Sequence, residues 1–197
     1  ELCEQVGFDG FFFTEHHQQD DGYLPSPVLL AGMIGMRTQS IKVGSCVLLA
    51  PLYHPIRLAE DIAVVDQATK GRMVAALGIG YQPHDFDAFG VPIKQRARRT
   101  EETVQILRLA WTGQAFSYDS KYHTIDNVRV TPPAYQQPGP PIWLAGWVPA
   151  GLERAGRMGD GWIADPIQSL AVIKDYAKQY RAEAKKHGRK PYVVLMR

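Results

Sequence analysis

Six short apolar runs limit what this chain of 197 residues can fold into. They are Phe8–Phe13, Ile41–Leu49, Met73–Leu77, Ile142–Ala145, Gly161–Ala164 and Pro191–Met196. Runs this short, apolar at consecutive positions and bounded by turn residues, read as strands buried on both faces. Segments of helical spacing lie between most of them: Leu29 to Met36, Leu58 to Val65, Arg96 to Trp111, Gly151 to Met158 and Leu170 to Lys186. Strand alternating with helix predicts a parallel sheet of right-handed βαβ units. With 45% of its residues hydrophobic, the chain can cover both faces of such a sheet.

The choice is then between an open sheet and a barrel. A dinucleotide-binding open sheet needs Gly-x-Gly-x-x-Gly at a tight strand-to-helix turn. Gly78-Ile79-Gly80-Tyr81-Gln82-Pro83 lacks the third glycine and puts proline where the helix should begin. Polar or small residues follow most of the strands instead: Glu15-His16-His17, His54, Gly80-Tyr81, Gly146-Trp147 and Asp165. A ring of such residues at one end of many strands favours a (β/α)₈ TIM-type barrel. Residues 1–197 read as one such domain, with a two-stranded excursion at about 115–132. A proline-rich connector from Pro132 to Pro141 follows the excursion.

Glu1 to Gly7 reads as the last turns of a helix with Gly7 as its cap, and the chain closes on an apolar run. The expectation is a partial barrel, lacking the first strand and the C-terminal part. Formal charge is +2 with acids and bases interleaved, which argues against a nucleic-acid surface. No apolar run is long enough to span a bilayer, and no signal-peptide pattern opens the chain. Cys3 and Cys46 have no paired spacing, so free buried thiols in a cytoplasmic protein are expected.

The chemistry concentrates in Glu15-His16-His17. On an extended backbone neighbouring side chains point in opposite directions, so one imidazole works in the pocket and the other packs or hydrogen-bonds. A neutral imidazole can hold or relay one proton near pH 7. Zinc would need helical i, i+4 spacing or a third ligand, so no metal site is expected. Elsewhere the plainer readings stand. His54 is either a site residue or a loop-to-helix joint beside Pro55, and Cys46 is a small buried residue. His84 and Asp85 shape a long loop that reaches Pro92, and Trp143 and Trp162 are core. Arg96, Arg98 and Arg99 form a solvated face paired with Glu101 and Glu102. Asp165 is a candidate for substrate polarity.

Several of these segments together carry a resemblance. They are Gly7-Phe8-Asp9-Gly10 through Glu15-His16-His17, Leu52 to Arg57 with Ala59-Glu60-Asp61, and Asp66 with Gly71-Arg72. Gly80 to Phe86, Phe89-Gly90-Val91, Pro138 to Ala145 and Gly159 to Trp162 complete them. The chain resembles the bacterial luciferase-like flavin monooxygenases along nearly its whole length. The resemblance implies reduced FMN, supplied by a separate flavin reductase, bound at the C-terminal mouth of the barrel. It implies reaction with O₂ through a C4a-hydroperoxyflavin on a small, largely apolar substrate, in a homodimer. By the same resemblance His16 assists that intermediate, with Glu15 and His17 beside it. Ser45-Cys46-Val47 lie against the flavin ring, where a non-proline cis peptide is frequent, and Gly78-Ile79-Gly80-Tyr81 form a flavin-binding turn. Gly146, Trp147 and Val148 match the phosphate-binding strand end. Many relatives carry arginine where this chain has Ile79, so phosphate binding would rest on backbone N–H groups near Trp147 and the following helix. That departure brings in the rivals: an F420-dependent dehydrogenase or reductase of the same barrel, or a flavin-binding protein without turnover.

Overall fold

The computed structural model describes residues 1–196. A short helix α1 (Leu2–Gln5) ends at Gly7, whose φ of 88° suits glycine, and leads into strand β1 (Gly10–Phe13). Helix α2 (Pro27–Gly35) starts on a proline at its first turn, where the missing N–H costs nothing. Strand β2 (Lys42–Ser45) and strand β3 (Leu48–Leu49) are two pieces of the second apolar run, separated by a cis Cys46–Val47 peptide. Helix α3 (Pro55–Ala68), strand β4 (Met73–Gly78), helix α4 (Pro83–Ala88) and helix α5 (Arg96–Ala110) follow. Strands β5 (Phe116–Asp119) and β6 (Thr124–Val128) make an antiparallel hairpin, the expected excursion. Strand β7 (Ile142–Ala145), helix α6 (Pro149–Met158), strand β8 (Gly161–Ala164), helix α7 (Leu170–Lys186) and strand β9 (Val193–Leu195) complete the order.

The main sheet runs β1-β2-β4-β7-β8-β9 in space, all parallel, with β3 pairing the end of β4. Spatial order equals chain order. An open doubly wound sheet reverses its order at a switch point, whereas staves of a barrel are added one after another. The fold is therefore a curled (β/α) sheet of the TIM-barrel type.

Side-chain alternation explains why the strands are apolar throughout. Val43, Met73, Ala75, Leu77, Ile142, Leu144, Trp162 and Ala164 pack outward under the helices in one large core. Val74, Ala76, Trp143 and Ile163 turn inward, joined by Phe12, Cys46, Val47, Ala145 and Val194. Inside the barrel Phe12 meets Trp143, with ring centroids 5.2 Å apart. Gly44 faces inward where a methyl would overlap the Val74 carbonyl oxygen, so only glycine lets β2 and β4 sit together there.

Arg72 fastens the opposite end of the sheet. Its guanidinium donates to the carbonyls of Thr69, Ile41, Gly35 and Thr38 and to Thr38 Oγ1, at 2.7–2.9 Å. Five donors in a planar fork join α2, α3 and the start of β2. Glu4 does similar work from α1, accepting from the backbone N–H groups of Gln39, Ser40 and Ile41. Those bonds, led by Ser40, hold the Glu4 carboxyl down at about 2.

Four expectations need correction. Phe8–Phe13 is not fully buried: Phe8 and Phe11 are exposed, because among the described residues β1 pairs with β2 alone. The loop expected up to Pro92 holds α4, and a 3-10 turn at Ile93–Gln95 follows it; both are too short to show a helical period. Both cysteines are only partly buried. Glu102 is not on a solvated face, since it is fully buried under the β5–β6 hairpin.

Candidate functional site

Parallel strands put every residue that follows them at one end of the sheet, and the residues singled out from the sequence gather there. Glu15 is the centre. Its side chain is wholly buried, yet both carboxylate oxygens are matched by donors. Oε2 accepts from the Leu49 backbone N–H at 2.6 Å; Oε1 accepts from Tyr53 Oη at 2.6 Å and from His17 Nε2 at 2.9 Å. A carboxylate accepting from three donors settles the tautomer, because His17 must carry its proton on Nε2. The bond to Glu15 raises the His17 pKa, against the opposing effect of burial. The Tyr53 hydroxyl is also raised, first by burial and then by the Glu15 charge.

His16 turns the other way. Its ring stacks on Tyr23 with centroids 5.6 Å apart, while its backbone N–H donates to the Leu24 carbonyl. Among the described residues its imidazole has no hydrogen-bond partner, so both ring nitrogens are available. Thus Glu15 and His17 are fixed to the frame and His16 is left open.

Ser45 is buried at the end of β2, and its hydroxyl donates to the Ala76 carbonyl at 3.0 Å. Cys46 stands at the cis bond with its thiol pushed up to about 11 by burial. At the end of β4, a methyl on Gly78 would come within 2.5 Å of Val47 Cγ2. Gly80 has φ 72° and lies against the buried Phe86 ring, where a side chain would collide at 2.9 Å. Tyr81 projects into solvent. After β7, Gly146 lies directly against Gly151 in the first turn of α6, so the helix N-terminus approaches the strand end. Trp147 and Val148 are exposed there, and the Gly146 carbonyl accepts from Trp162 Nε1 at 2.8 Å. Asp165 after β8 is buried and accepts from the Ile167 backbone N–H.

His54 caps α3 and faces His123 edge-on at 6.3 Å, away from the Glu15 cluster's hydrogen bonds. His123 Nδ1 donates to Glu102 at 2.8 Å. Burial pushes the Glu102 carboxyl up, but hydrogen bonds from Ser120, His123 and Arg98 outweigh it and hold the pKa below the usual range. Burial lowers His123, so the pair is a carboxylate with a neutral imidazole.

The roles of Tyr53, Tyr23 and His123 escaped sequence reasoning. Tyr53 stands beside His54 in a segment already singled out, but nothing local couples position 53 to position 15. Two cavities of about 520 and 590 Å³ are present, one between α2 and α3 that reaches Tyr53 and one at the N-terminal ends of the strands. The site is a mouth at the strand ends, whereas those cavities are lined by ion pairs of Arg57 with Glu60 and Asp61 and of Arg189 with Asp160. Among the described residues no group of side chains is arranged to hold a metal ion, and no helix is long and apolar enough to cross a membrane.

A parallel β/α sheet in chain order, with an acid and two imidazoles at the end of one strand, defines a barrel-type fold with its polar cluster at the C-terminal mouth. The chain belongs to the luciferase-like monooxygenase family, whose sequence profile matches residues 1–197. It is 26% identical to the alkanal monooxygenase beta chain of Photorhabdus laumondii, over 95% of this chain and 58% of that one. It is 30% identical to the F420-dependent glucose-6-phosphate dehydrogenase of Nakamurella multipartita, over 88% of this chain and 52% of the relative. The crystal structure of monooxygenase RslO1 from Streptomyces bottropensis superposes with a TM-score of 0.92 at 27% identity. That match covers 99% of this chain and 61% of RslO1. The chain spans little more than half the length of the curated relatives it matches.

Proposed function

We propose that this chain forms the cofactor face of a flavin-dependent monooxygenase that uses reduced FMN and O₂ on a small, largely apolar organic substrate. The observation that carries this reading is the division of roles within Glu15-His16-His17. Glu15 and His17 are locked to each other, to Tyr53 and to Leu49, while among the described residues the His16 imidazole, stacked on Tyr23, has no hydrogen-bond partner.

The residues fit a flavin-type group. Cys46, Val47, Ala145 and Phe12 give the inner face an apolar lining that suits a flat ring. The α6 N-terminus, brought close by Gly146, offers backbone N–H groups and the positive end of the helix dipole to a phosphate. Bound reduced flavin would supply the electrons that activate O₂. The chain's own part is positioning and proton handling. Glu15 fixes the strand end, His16 holds or accepts a single proton at a ring nitrogen, and the apolar inner face excludes water.

The wider reading takes residues 1–197 as one partial barrel domain of a cytoplasmic enzyme fed by a separate flavin reductase. A homodimer is supported by α2 and its C-cap, which leave Leu29, Met33 and Met36 exposed at 61–66%.

A second reading, an F420-dependent dehydrogenase or reductase, is favoured by Ile79 at the position where many relatives carry arginine and by the F420-dependent relative. The deciding experiment loads the whole polypeptide with reduced FMN anaerobically and mixes it rapidly with O₂. A transient absorbance band that outlives the free-flavin reaction supports the monooxygenase. Oxidation at the free-flavin rate, with tight F420 binding, replaces it with the second reading.

A further inference from the structure

The residues that follow β1 keep the alternation of the strand. Phe12 belongs to the inner cluster of the barrel, and Phe13 packs on the outer core. Neighbouring side chains on an extended backbone take opposite sides, so Thr14 and His16 continue the inward set and Glu15 and His17 the outward one. Burial divides the same way, with Glu15 and His17 buried and Thr14 and His16 half-buried. The outward pair is tied by hydrogen bonds to the frame. The inward pair is met instead by Tyr23, from the loop between β1 and α2.

Tyr23 touches both members of that pair. Its ring stacks on the His16 imidazole with centroids 5.6 Å apart and planes 27° from parallel, and its Oη accepts from Thr14 Oγ1 at 2.9 Å. The loop that carries it is fastened at each end. Gln19 Nε2 donates to the His17 carbonyl at 3.0 Å, and the His16 N–H donates to the Leu24 carbonyl at 3.2 Å. Between them the Tyr23 N–H donates to Asp21 Oδ1 at 3.0 Å. Tyr23 is 53% exposed, so packing of the core does not require an aromatic ring there.

An imidazole without a hydrogen bond turns readily about its ring torsion, whose wells are broad. Its nitrogens then sweep an arc and hold no single direction. An offset stack removes that freedom, because tilting the ring loses the contact. A group that accepts or delivers a proton works only from a fixed, aligned position.

We propose that Tyr23 is the positioning residue for His16: stacking fixes the plane of the open imidazole, and the bond from Thr14 fixes Tyr23. The use made of the oriented ring rests on the flavin reading above, whereas the orientation itself belongs to the chain and needs no cofactor.

The test begins with NMR of the whole polypeptide without flavin, the His16 ring protons being assigned by their loss in His16→Gln. An aromatic face shields protons stacked on it. The His16 ring protons therefore lie upfield of their positions in the urea-unfolded chain, and NOE cross-peaks join them to the Tyr23 ring. Tyr23→Leu moves them downfield to the unfolded positions, and Tyr23→Phe keeps most of the upfield shift. Unshifted protons in the wild type, or a shift that survives Tyr23→Leu, overturn the proposal, and the wild-type spectrum decides even if a variant fails to fold. Rapid mixing of the reduced-flavin complex with O₂ reads the consequence. The oxygen-dependent transient shortens about threefold or more in Tyr23→Leu and is largely restored in Tyr23→Phe. Adding Tyr23→Leu to His16→Ala shortens it no further, because the two residues act as one unit. Effects that add in full overturn the proposal. A wild type without any transient overturns the flavin reading, and the NMR result then decides the role of Tyr23 alone.

Discussion

The Glu15 carboxylate accepts the backbone N–H of Leu49 at 2.6 Å, tying the end of the first strand to a residue two places beyond the cis Cys46–Val47 peptide. One buried side chain therefore sets the spacing of two adjacent staves at the mouth. Its other oxygen collects Tyr53 and His17, so three separate segments hang on a single acid.

Glu15→Ala removes an acceptor from three buried or half-buried donors. Unpairing groups of this kind costs about 3–5 kcal/mol. Tyr53→Phe removes one of the three bonds and costs about 1–2 kcal/mol. Urea unfolding of the two variants should reproduce that order. Equal stability of Glu15→Ala and wild type would show that the cluster does not hold the mouth together.

His16 should behave oppositely. With no side-chain hydrogen bond to lose among the described residues, His16→Ala stays within about 0.5 kcal/mol of wild type in the same assay. In stopped-flow reaction of the reduced-flavin complex with O₂, the variant shortens the oxygen-dependent transient while flavin affinity is nearly unchanged. Unaltered oxidation kinetics would remove His16 from the mechanism.

The His17 pKa lies above its ordinary value of 6.5, so the native state binds a proton that the unfolded chain has begun to lose. Its contribution is complete below about 6.5 and declines as pH rises through the elevated native value. The stability advantage of wild type over His17→Asn, followed by urea unfolding between pH 5 and 9, should shrink toward the alkaline end. An advantage that grows with pH would reverse the assignment.

Arg72→Lys keeps the charge but replaces a planar fork by one ammonium. Several of the five carbonyl and hydroxyl partners lose their donor, at a cost of about 2 kcal/mol or more. Thermal or urea unfolding reads this directly. A neutral result would mean that water replaces the guanidinium without loss.

Cys46 should be a poor nucleophile. With its thiol at about 11, roughly a thousandth is thiolate at pH 8. Iodoacetamide labelling of its peptide, followed by mass spectrometry, should run at least about ten-fold slower in the native protein than in the urea-unfolded chain. Equal rates would place the thiol in water.

Much of the frame was legible along the chain. Consecutive apolar residues in Met73–Leu77 or Ile142–Ala145 can be satisfied only with both strand faces covered, and Pro27, Pro55 and Pro149 mark helix starts because proline tolerates the first turn. The opposite directions of His16 and His17 follow from the geometry of an extended backbone. These are local facts, set by neighbours one to four residues away.

The partners of Glu15 are of another kind. Leu49 and Tyr53 lie 34 and 38 positions away, and only the register of β1 on β2 brings them within hydrogen-bonding reach. The burial of Glu102 under His123, and of Asp85 on α4, likewise depends on how a hairpin and a six-residue helix settle on the barrel. The sequence by itself determined the sheet, its helices and the end at which polar residues collect, because periodicity and steric limits act over a few residues. Which imidazole is tethered and which is free was decided by the tertiary structure, since a hydrogen bond depends on distance in space and carries no trace along the chain.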